Sequence, residues 1–190
     1  MTNTDATPPW SPYYIMKGVI PVSLCEQIIQ YHAKLPYYKA EVLKDGKSKP
    51  SLQRNVQLQG NTFSWANDMI LDYVKHANKI HFNYDLSDTD KEHLQFSRYG
   101  FGMYFNTHMD WDPYKAHTRK LSVTVQLSDP DRYKGGNLML YHCSQGKMKC
   151  PRDQGTIVIF DSRWLHRVTP VLWGERYSLV KWVHGDQPLR

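Results

Sequence analysis

Three residues with metal-binding side chains stand at a spacing that could bring them to one point. His108 and Asp110 are two residues apart, and alternate residues of a β-strand point to the same face of a sheet. An imidazole and a carboxylate would then face one spot, and His166 from a later strand would add a second imidazole. Two histidines and one carboxylate on one side of an octahedral ion leave three positions open, an arrangement that suits oxygen chemistry at a non-haem iron.

A second pair of polar residues follows His166 at the same spacing. Arg176 and Ser178 would share one strand face, and a guanidinium turned inward is costly unless an anion meets it. The planar fork of an arginine matches a carboxylate, and the serine hydroxyl adds a donor. The pair therefore predicts a carboxylate receptor within reach of a ligand held on the metal. The alternative is a surface arginine whose neighbouring serine points outward.

Chance offers a competing interpretation of the first pair, because the chain contains nine histidines. On that interpretation His108, Asp110 and His166 are unrelated polar residues at strand ends. The surrounding sequence has to decide between the two.

The composition suits one globular domain. A chain of 190 residues can bury a core without a disulfide or a structural zinc, and an apolar content of 41% argues against disorder. We expect a single domain over 1–190, made of a tail (1–12), a helical and loop support (13–92) and a jelly-roll core (93–185).

Compartment and partners are bounded by the same composition. The first residues lack a basic segment followed by an apolar one, and no apolar run is long enough to cross a bilayer, so we expect no secretory signal and no membrane partner. Three unevenly spaced cysteines predict a reduced, cytoplasmic protein. The net charge of +6 could indicate a nucleic-acid partner, but the basic residues are scattered, which favours a solvated surface.

Two helices are predicted in the N-terminal support. Ser23 and Glu26 have the spacing of a capping box, and Pro36 would close the helix that they begin. Asn61 would cap a second helix that runs to about Ile80. Apolar residues recur at helical intervals in both segments: Leu24, Ile28, Tyr31 and Leu35 in the first, and Phe63, Ala66, Ile70, Val74 and Ala77 in the second.

After Lys91 the pattern changes to short runs rich in β-branched and aromatic residues, separated by turn signals. The predicted strands are 93–99, 103–108, 119–128, 137–142, 156–160, 168–171 and 177–183. Helices followed by seven or eight short strands predict an α+β, mainly β fold. We expect an antiparallel jelly roll with the helices packed on one sheet.

Five short motifs occur in order along this β region. They are His108-x-Asp110, Gly135-Gly136-Asn-Leu, Gly155-Thr-Ile-Val-Ile-Phe160, His166-Arg-Val-Thr-Pro-Val171 and Gly174-x-Arg176-x-Ser178. Through them the chain resembles the Fe(II)/2-oxoglutarate-dependent dioxygenase superfamily, in its prolyl 4-hydroxylase-like and bacterial PKHD-type hydroxylase branch. The resemblance spans roughly residues 93–183.

The resemblance implies a fold and a set of ligands. The fold would be a double-stranded β-helix (cupin-like), with Fe(II) bound by His108, Asp110 and His166. The 2-oxoglutarate co-substrate would set its distal carboxylate on Arg176 and Ser178 and chelate iron with its 2-oxo acid end. O2 would take the remaining position, with ascorbate as an optional reductant.

A tyrosine upstream of the metal pair often contacts the co-substrate in such enzymes. Tyr99 is the candidate here, ahead of Tyr104, and the alternative for either is a tyrosine of the barrel core. Relatives often carry another tyrosine on the strand after the metal pair, where this chain has Thr124 and Gln126. One of these two would replace the missing contact.

Two further positions separate branches of the superfamily. Asp110 keeps the carboxylate that related halogenases lack, which favours hydroxylation. Nucleic-acid demethylases usually carry a second arginine where this chain has Trp182, so we rank dealkylation of nucleic acids low.

Three functions follow from the sequence. The leading hypothesis is hydroxylation of a C–H bond, with prolyl 4-hydroxylation of a peptide or protein as the reaction. The second is hydroxylation of a free amino acid or another small metabolite. The third is not enzymatic: a metal-binding jelly-roll sensor or interaction module, against which the intact pair of Arg176 and Ser178 argues.

Overall fold

The computed structural model describes most of the chain. The described residues are 11–39, 41–44, 47–50, 54–59, 63–87, 89, 91–112, 114, 116–142 and 146–187. Most of the predicted tail and the predicted cap at Asn61 lie outside them. The helices are α1 (Val22–His32) and α2 (Ser64–Ala77), and one π-helical turn (Asn78–Phe82) and one 3-10 turn (Pro130–Arg132) complete the helical part.

Short antiparallel strands make up the rest of the fold. They are β1 (Tyr13–Met16), β2 (Tyr38–Lys39), β3 (Glu41–Lys44), β4 (Lys47–Pro50), β5 (Arg54–Asn55), β6 (Gln57–Gln59), β7 (Gln95–Tyr99), β8 (Tyr104–His108), β9 (Arg119–Gln126), β10 (Tyr133–Gly135), β11 (Leu138–His142), β12 (Gly146–Lys149), β13 (Ile157–Asp161), β14 (Leu165–Val168), β15 (Val171–Gly174) and β16 (Arg176–His184).

Two facing sheets carry most of these strands. The larger has the order β1-β13-β9-β16-β7-β6-β2, and the smaller has the order β12-β11-β14-β8-β5. Two-stranded ladders join β10 to β15 and β3 to β4. This is the predicted mainly-β double sheet with helices on one side. The segment 13–92 supplies strands to both sheets as well as the helices, because β1, β2, β5 and β6 belong to it.

Strand β9 shows how the two layers of the core arise from alternation. Its odd-numbered residues belong to the apolar core shared with α1 and α2: Leu121, Val123 and Val125. Its even-numbered residues are also buried, yet they are polar: Ser122, Thr124 and Gln126. Because alternate side chains leave a strand on opposite faces, this polar row faces the space between the two sheets.

Helix α1 departs from the prediction at its start. It begins at Val22 after Pro21, and no side chain caps it. Ser23 therefore lies inside the first turn, where it cannot serve as the cap, and the Glu26 carboxylate accepts a hydrogen bond from Gln154 instead. The predicted capping box is wrong.

The buried face of α1 also differs from the predicted one. It consists of Cys25, Ile28 and His32, whereas Tyr31 is 40% exposed. The ring of His32 stacks on Phe96 of the larger sheet at 4.1 Å between centroids, so ring packing rotates the helix relative to the apolar pattern. The face of α2 matches the prediction, with Ala66, Ile70, Val74 and Ala77 all buried. Neither described helix is long and apolar enough to cross a membrane.

Six of the seven predicted strands match observed strands to within two residues at each end, but the predicted strand 168–171 is wrong. Thr169 and Pro170 separate β14 from β15 at this point. A proline lacks the N–H that a central strand must donate, and the Pro170 carbonyl instead accepts from the backbone N–H of Gly136. The chain leaves the smaller sheet here and pairs with β10.

Candidate metal centre and anion receptor

Neighbouring strands of the smaller sheet carry the two histidines. His108 ends β8 and His166 lies in β14, and the two residues are register partners across the ladder. Asp110 follows β8 in a turn, and its backbone N–H donates to the Ser162 carbonyl at 3.0 Å. The turn is thereby tied to the end of β13, so all three side chains meet between the sheets.

The three side chains form a compact ligand set. His108 Nε2 lies 3.5 Å from Asp110 Oδ1, and His166 Nε2 lies 3.4 Å from Asp110 Oδ2. One ligand atom from each residue lies within 4.8 Å of the other two. Within the described part of the chain, this is the one group of three or more histidine, cysteine or acidic residues close enough to share a metal ion.

Backbone carbonyls fix which nitrogen each imidazole presents to the centre. His108 Nδ1 lies 2.7 Å from the Asn106 carbonyl oxygen, and His166 Nδ1 lies 2.9 Å from that of Trp164. A carbonyl can only accept, so each Nδ1 carries the proton and donates, which leaves the Nε2 lone pair for a metal. The ring of Phe105 stacks on His108 at 3.5 Å between centroids and holds its plane.

Two buried serines support the carboxylate of Asp110, and the sequence analysis did not identify them. Ser122 Oγ donates to Asp110 Oδ2 at 2.7 Å, and Ser162 Oγ lies 3.0 Å from Ser122 Oγ. Arg119 donates to the Asp110 backbone carbonyl at 2.9 Å. The signal for Ser122 in the sequence is the row of polar residues that alternates with apolar ones along β9. Hydroxyl groups on the buried face of a strand nearly always have hydrogen-bond partners, so such a row indicates a polar contact.

Burial and charge act in opposite directions on these three groups. Burial raises the pKa of Asp110, but the adjacent imidazoles outweigh it and hold that pKa well below its usual range. Burial lowers the pKa of His166, yet the charge and hydrogen bond of Asp110 raise it overall. Burial dominates at His108 and lowers its pKa. The carboxylate is therefore ionised, and His166 is the imidazole that holds a proton more readily in the metal-free protein.

The other end of the pocket contains a buried guanidinium. Arg176 is 1% exposed, donates from Nη1 to Ser178 Oγ at 3.2 Å and from Nη2 to Gln126 Oε1 at 2.5 Å. Its Nε has no hydrogen-bond partner in the part of the chain that the structure describes. Among the described residues no carboxylate forms an ion pair with it. Such a charge is costly to bury alone, so the group is suited to an incoming anion.

The two tyrosines that the sequence singled out lie in different places. Tyr99 is buried with its ring centroid 5.3 Å from the Arg176 guanidinium carbon, and it lines the pocket. Tyr104 lines a separate surface depression with Arg167 and Pro170. The structure therefore brings Tyr99 to the receptor and leaves Tyr104 outside it.

The paired glycines before β11 make room for the stem of the arginine. A Cβ on Gly136 would lie 3.1 Å from Arg176 Cδ and 3.0 Å from a methyl carbon of Val171. Gly135 has a φ of 74°, and a Cβ there would lie 2.1 Å from the Pro170 carbonyl oxygen. Larger residues at either position would displace the strand connection that packs against Arg176.

One pocket joins the metal-binding set to the receptor. Its wall is formed by Gln95, Tyr99, Phe105, His108, Asp110, Thr124, Leu138, His166, Val168, Arg176, Ser178, Val180 and Trp182. The donor set of two imidazoles and one carboxylate fits a non-haem Fe(II) ion. The unpartnered Nε of Arg176 fits a carboxylate at the far end. A dicarboxylate with a metal-chelating head would satisfy both.

A larger cavity of about 450 Å³ lies at the end of α2. Its wall includes Lys75, Lys79 and Lys91 around a floor of Leu71 and Val74. It contains no group of metal-binding side chains within the described residues. The smaller pocket between the sheets, which the metal-binding side chains line, is therefore the candidate functional site.

Comparisons with known proteins agree with this geometry. The family model described as the 2OG-Fe(II) oxygenase superfamily matches residues 94–184. A PKHD-type hydroxylase of Synechococcus elongatus is 30% identical over 160 residues, which cover 82% of this chain and 64% of the relative. Another PKHD-type hydroxylase, of Idiomarina loihiensis, is 28% identical over 140 residues, which cover 74% and 63%. The chain thus spans somewhat less than two thirds of these relatives.

Solved structures show the same fold at lower identity. A prolyl-4-hydroxylase of Pseudomonas putida superposes with a TM-score of 0.74 at 18% identity, covering 94% of this chain and 95% of that one. A prolyl hydroxylase of Trichoplax adhaerens, in complex with a hypoxia inducible factor peptide fragment, gives 0.75 at 16% identity, covering 93% and 85%. A viral collagen prolyl hydroxylase of Paramecium Bursaria Chlorella virus-1, solved as a 2OG complex, gives 0.67 at 20% identity, covering 93% and 97%.

Proposed function

Because the chain belongs to the 2OG-Fe(II) oxygenase superfamily, we propose that it is an Fe(II)- and 2-oxoglutarate-dependent dioxygenase that hydroxylates a C–H bond. We propose further that the substrate is a prolyl residue in a peptide or protein. The observation that carries the first proposal is the shared pocket. Three ionisable donors converge at one end of it, and a buried guanidinium that forms no ion pair with any described residue lies at the other.

Each residue of the pocket has a role that its contacts support. His108, Asp110 and His166 hold the metal on one face, because their free donor atoms converge there. Arg176 and Ser178 hold the distal carboxylate of 2-oxoglutarate, and so set the direction in which its 2-oxo acid end points. When bound, iron and the 2-oxo acid supply the oxidation of the substrate by O2.

Apolar side chains complete the pocket wall. They are Phe105, Leu138, Val168 and Val180. Apolar walls reduce the access of water, which strengthens charge interactions in a pocket and protects reactive species from solvent.

The prolyl substrate is supported by the relatives. The two relatives compared above are named as PKHD-type hydroxylases, and three structures with the same fold are named as prolyl hydroxylases, one of them in complex with a peptide fragment. On this likeness we expect peptides to be accepted in preference to free amino acids.

The test is a turnover assay with two substrate panels. Purified protein receives Fe(II), ascorbate and 2-oxoglutarate under air, together with proline-containing peptides or with free amino acids. We expect succinate to form in step with a gain of one oxygen atom on a peptide proline, and Asp110→Ala to abolish both. A gain of oxygen on free amino acids alone would transfer the proposal to a small-molecule hydroxylase. Metal binding without any 2-oxoglutarate binding would favour the sensor hypothesis and end the enzymatic one.

A further inference from the structure

The described side chains that contact the buried guanidinium of Arg176 are neutral. Its hydrogen bonds go to the amide oxygen of Gln126 and the hydroxyl of Ser178, and its guanidinium carbon lies 5.3 Å from the ring centroid of Tyr99. The thiol of Cys150 lies in its electrostatic neighbourhood. Burial raises the pKa of Cys150 to about 12, although the charge of Arg176 pulls the other way, so this thiol stays neutral.

Gln126 links this guanidinium to a second one. Its Nε2 lies 3.4 Å from the hydroxyl of Tyr133, and that hydroxyl also accepts from Arg152 Nε at 3.2 Å. The guanidinium carbon of Arg152 lies 4.1 Å from the centroid of the Tyr133 ring. Arg152 Nη2 donates to the backbone carbonyl of Tyr133 at 2.7 Å. Two cations are thus joined through neutral acceptors, and neither forms an ion pair within the described residues.

Because Gln126 lies beside Arg176, its lack of charge affects how much of the positive charge of Arg176 is neutralised. Gln126 is the register partner of Ser178 across the β9–β16 ladder and is itself 2% exposed. A carboxylate of the same shape would accept the same hydrogen bond from Arg176 and would also neutralise it. An amide oxygen orients the guanidinium without taking up its charge.

We propose that Gln126 is a positioning residue that orients Arg176 while leaving its positive charge unneutralised, so that the receptor attracts the distal carboxylate of the co-substrate at full strength. This rests on the proposed function only in naming 2-oxoglutarate as the anion. The cost is a less stable ligand-free protein, because a buried cation without a counter-ion is unfavourable. Co-substrate affinity and ligand-free stability should therefore move in opposite directions when the charge at this position changes.

Three variants separate charge from shape. Gln126→Glu keeps the shape and adds a negative charge beside Arg176. Gln126→Met keeps the approximate volume and removes the acceptor. Gln27→Glu adds the same charge at an exposed site on α1 and controls for net charge.

The experiment measures three quantities for each protein. They are the melting temperature without metal or ligand, the dissociation constant for Mn(II), and the dissociation constant of the Mn(II)-loaded protein for 2-oxoglutarate under anaerobic conditions. For Gln126→Glu we expect binding of 2-oxoglutarate to weaken by at least about tenfold, a melting temperature above that of the unmutated protein, and unchanged Mn(II) binding. For Gln126→Met we expect a smaller loss of 2-oxoglutarate binding and a lower melting temperature, and for Gln27→Glu no change.

Opposite results would overturn the inference. Equal 2-oxoglutarate binding by Gln126→Glu and the unmutated protein would show that Gln126 does not control the charge of the receptor. Equal losses in Gln126→Glu and Gln126→Met, both with lowered melting temperatures, would show that shape alone matters. If the unmutated protein binds no 2-oxoglutarate, the proposed function fails, and the melting temperatures alone decide whether a carboxylate at position 126 pairs with Arg176.

Discussion

The two ends of the pocket treat charge in opposite ways. At the metal-binding end, the Asp110 carboxylate lies between two imidazoles and accepts a hydrogen bond from Ser122. At the other end, the acceptors that the Arg176 guanidinium meets among the described residues are neutral, and its Nε has no hydrogen-bond partner there. The first end presents lone pairs and a negative charge that suit a cation, whereas the second presents a positive charge that suits an anion.

This difference means that the two ends of the pocket together restrict which ligand fits. A metal ion alone would satisfy one end and leave a buried cation at the other, and an inorganic anion alone would do the reverse. A molecule with a chelating head and a distal carboxylate satisfies both. Variants that remove one end while sparing the other should therefore separate metal binding from anion binding.

The largest effect is expected at the metal-binding end. Asp110→Ala and His166→Ala each remove a convergent donor, so we expect loss of metal binding and a fall in turnover of about a thousandfold or more, as when an essential catalytic group is removed. His117→Ala changes an exposed histidine of the same region and should leave both unchanged. Calorimetric titration with Mn(II) and the succinate assay measure the two effects, and circular dichroism verifies the fold. Full metal affinity in Asp110→Ala would remove this residue from the ligand set.

The next effect is expected at the anion end. Arg176→Ala would remove the proposed charge-assisted contact to the distal carboxylate of 2-oxoglutarate. Such a contact to a buried carboxylate is worth about 2–5 kcal/mol, or about 30-fold to several thousandfold in affinity. We expect the 2-oxoglutarate requirement to rise by that factor while Mn(II) binding stays as it is. Arg167→Ala, an exposed arginine on β14, is the matched control. An unchanged dependence on 2-oxoglutarate in Arg176→Ala would refute the receptor role.

A smaller effect is expected from the support of Asp110. Ser122→Ala leaves the ligands in place and removes the hydrogen bond to Oδ2, and the loss of such a supporting contact weakens metal binding by about 10- to 100-fold. Ser122→Thr should recover much of the affinity, because it keeps the hydroxyl. Ser97→Ala, a buried serine of β7 that does not contact Asp110, controls for burial. Equal metal affinities in all of these proteins would assign Ser122 to packing alone.

The smallest effect is a dependence of metal binding on pH. Asp110 raises the pKa of His166 in the metal-free protein. The protonated His166 therefore stabilises the fold at pH values below the histidine pKa of the unfolded chain. This contribution is lost as the pH rises through the raised pKa of the folded protein. A metal must displace that proton, so the increase in melting temperature caused by Mn(II) should be smaller at pH 6 than at pH 8. Asp110 stays ionised over this range because its pKa is low. A shift that is larger at pH 6 would contradict this assignment.

The sequence predicted the residues of both ends better than the contacts that support them. Spacing by two residues along β16 places Arg176 with Ser178, so local alternation is enough to find that pair. Alternation does not place Asp110, which lies in the turn after β8 and is held there by the hydrogen bond from its backbone N–H to the Ser162 carbonyl. Ser122 and Gln126 act through the register of β9 against its neighbours, and this register depends on residues far away in the chain. The resemblance names Gln126, with Thr124, as a replacement for a tyrosine contact, but it does not predict the hydrogen bond that Gln126 accepts from Arg176. For Ser122 the signal is a polar row within an otherwise apolar strand.

The errors in the fold have similar physical causes. In α1 the stacking of His32 on Phe96 sets the buried face, and a hydrophobic pattern does not anticipate the burial of an imidazole in preference to Tyr31. At β14 the sequence already contained the signal, since Pro170 cannot donate in a central strand. The strand was predicted across Pro170 because Val168 and Val171 on either side of it favour a β-strand.

The most direct test of the two-ended pocket is an anaerobic titration of 2-oxoglutarate into the Fe(II)-loaded protein, followed by its optical spectrum and by calorimetry. We expect one equivalent to bind and to change the absorption of the iron, because on the proposed function the co-substrate would chelate the metal. Asp110→Ala should lose the spectral change, and Arg176→Ala should require far more 2-oxoglutarate to reach it. Absence of 2-oxoglutarate binding, or binding that is unaffected by either substitution, would contradict the account.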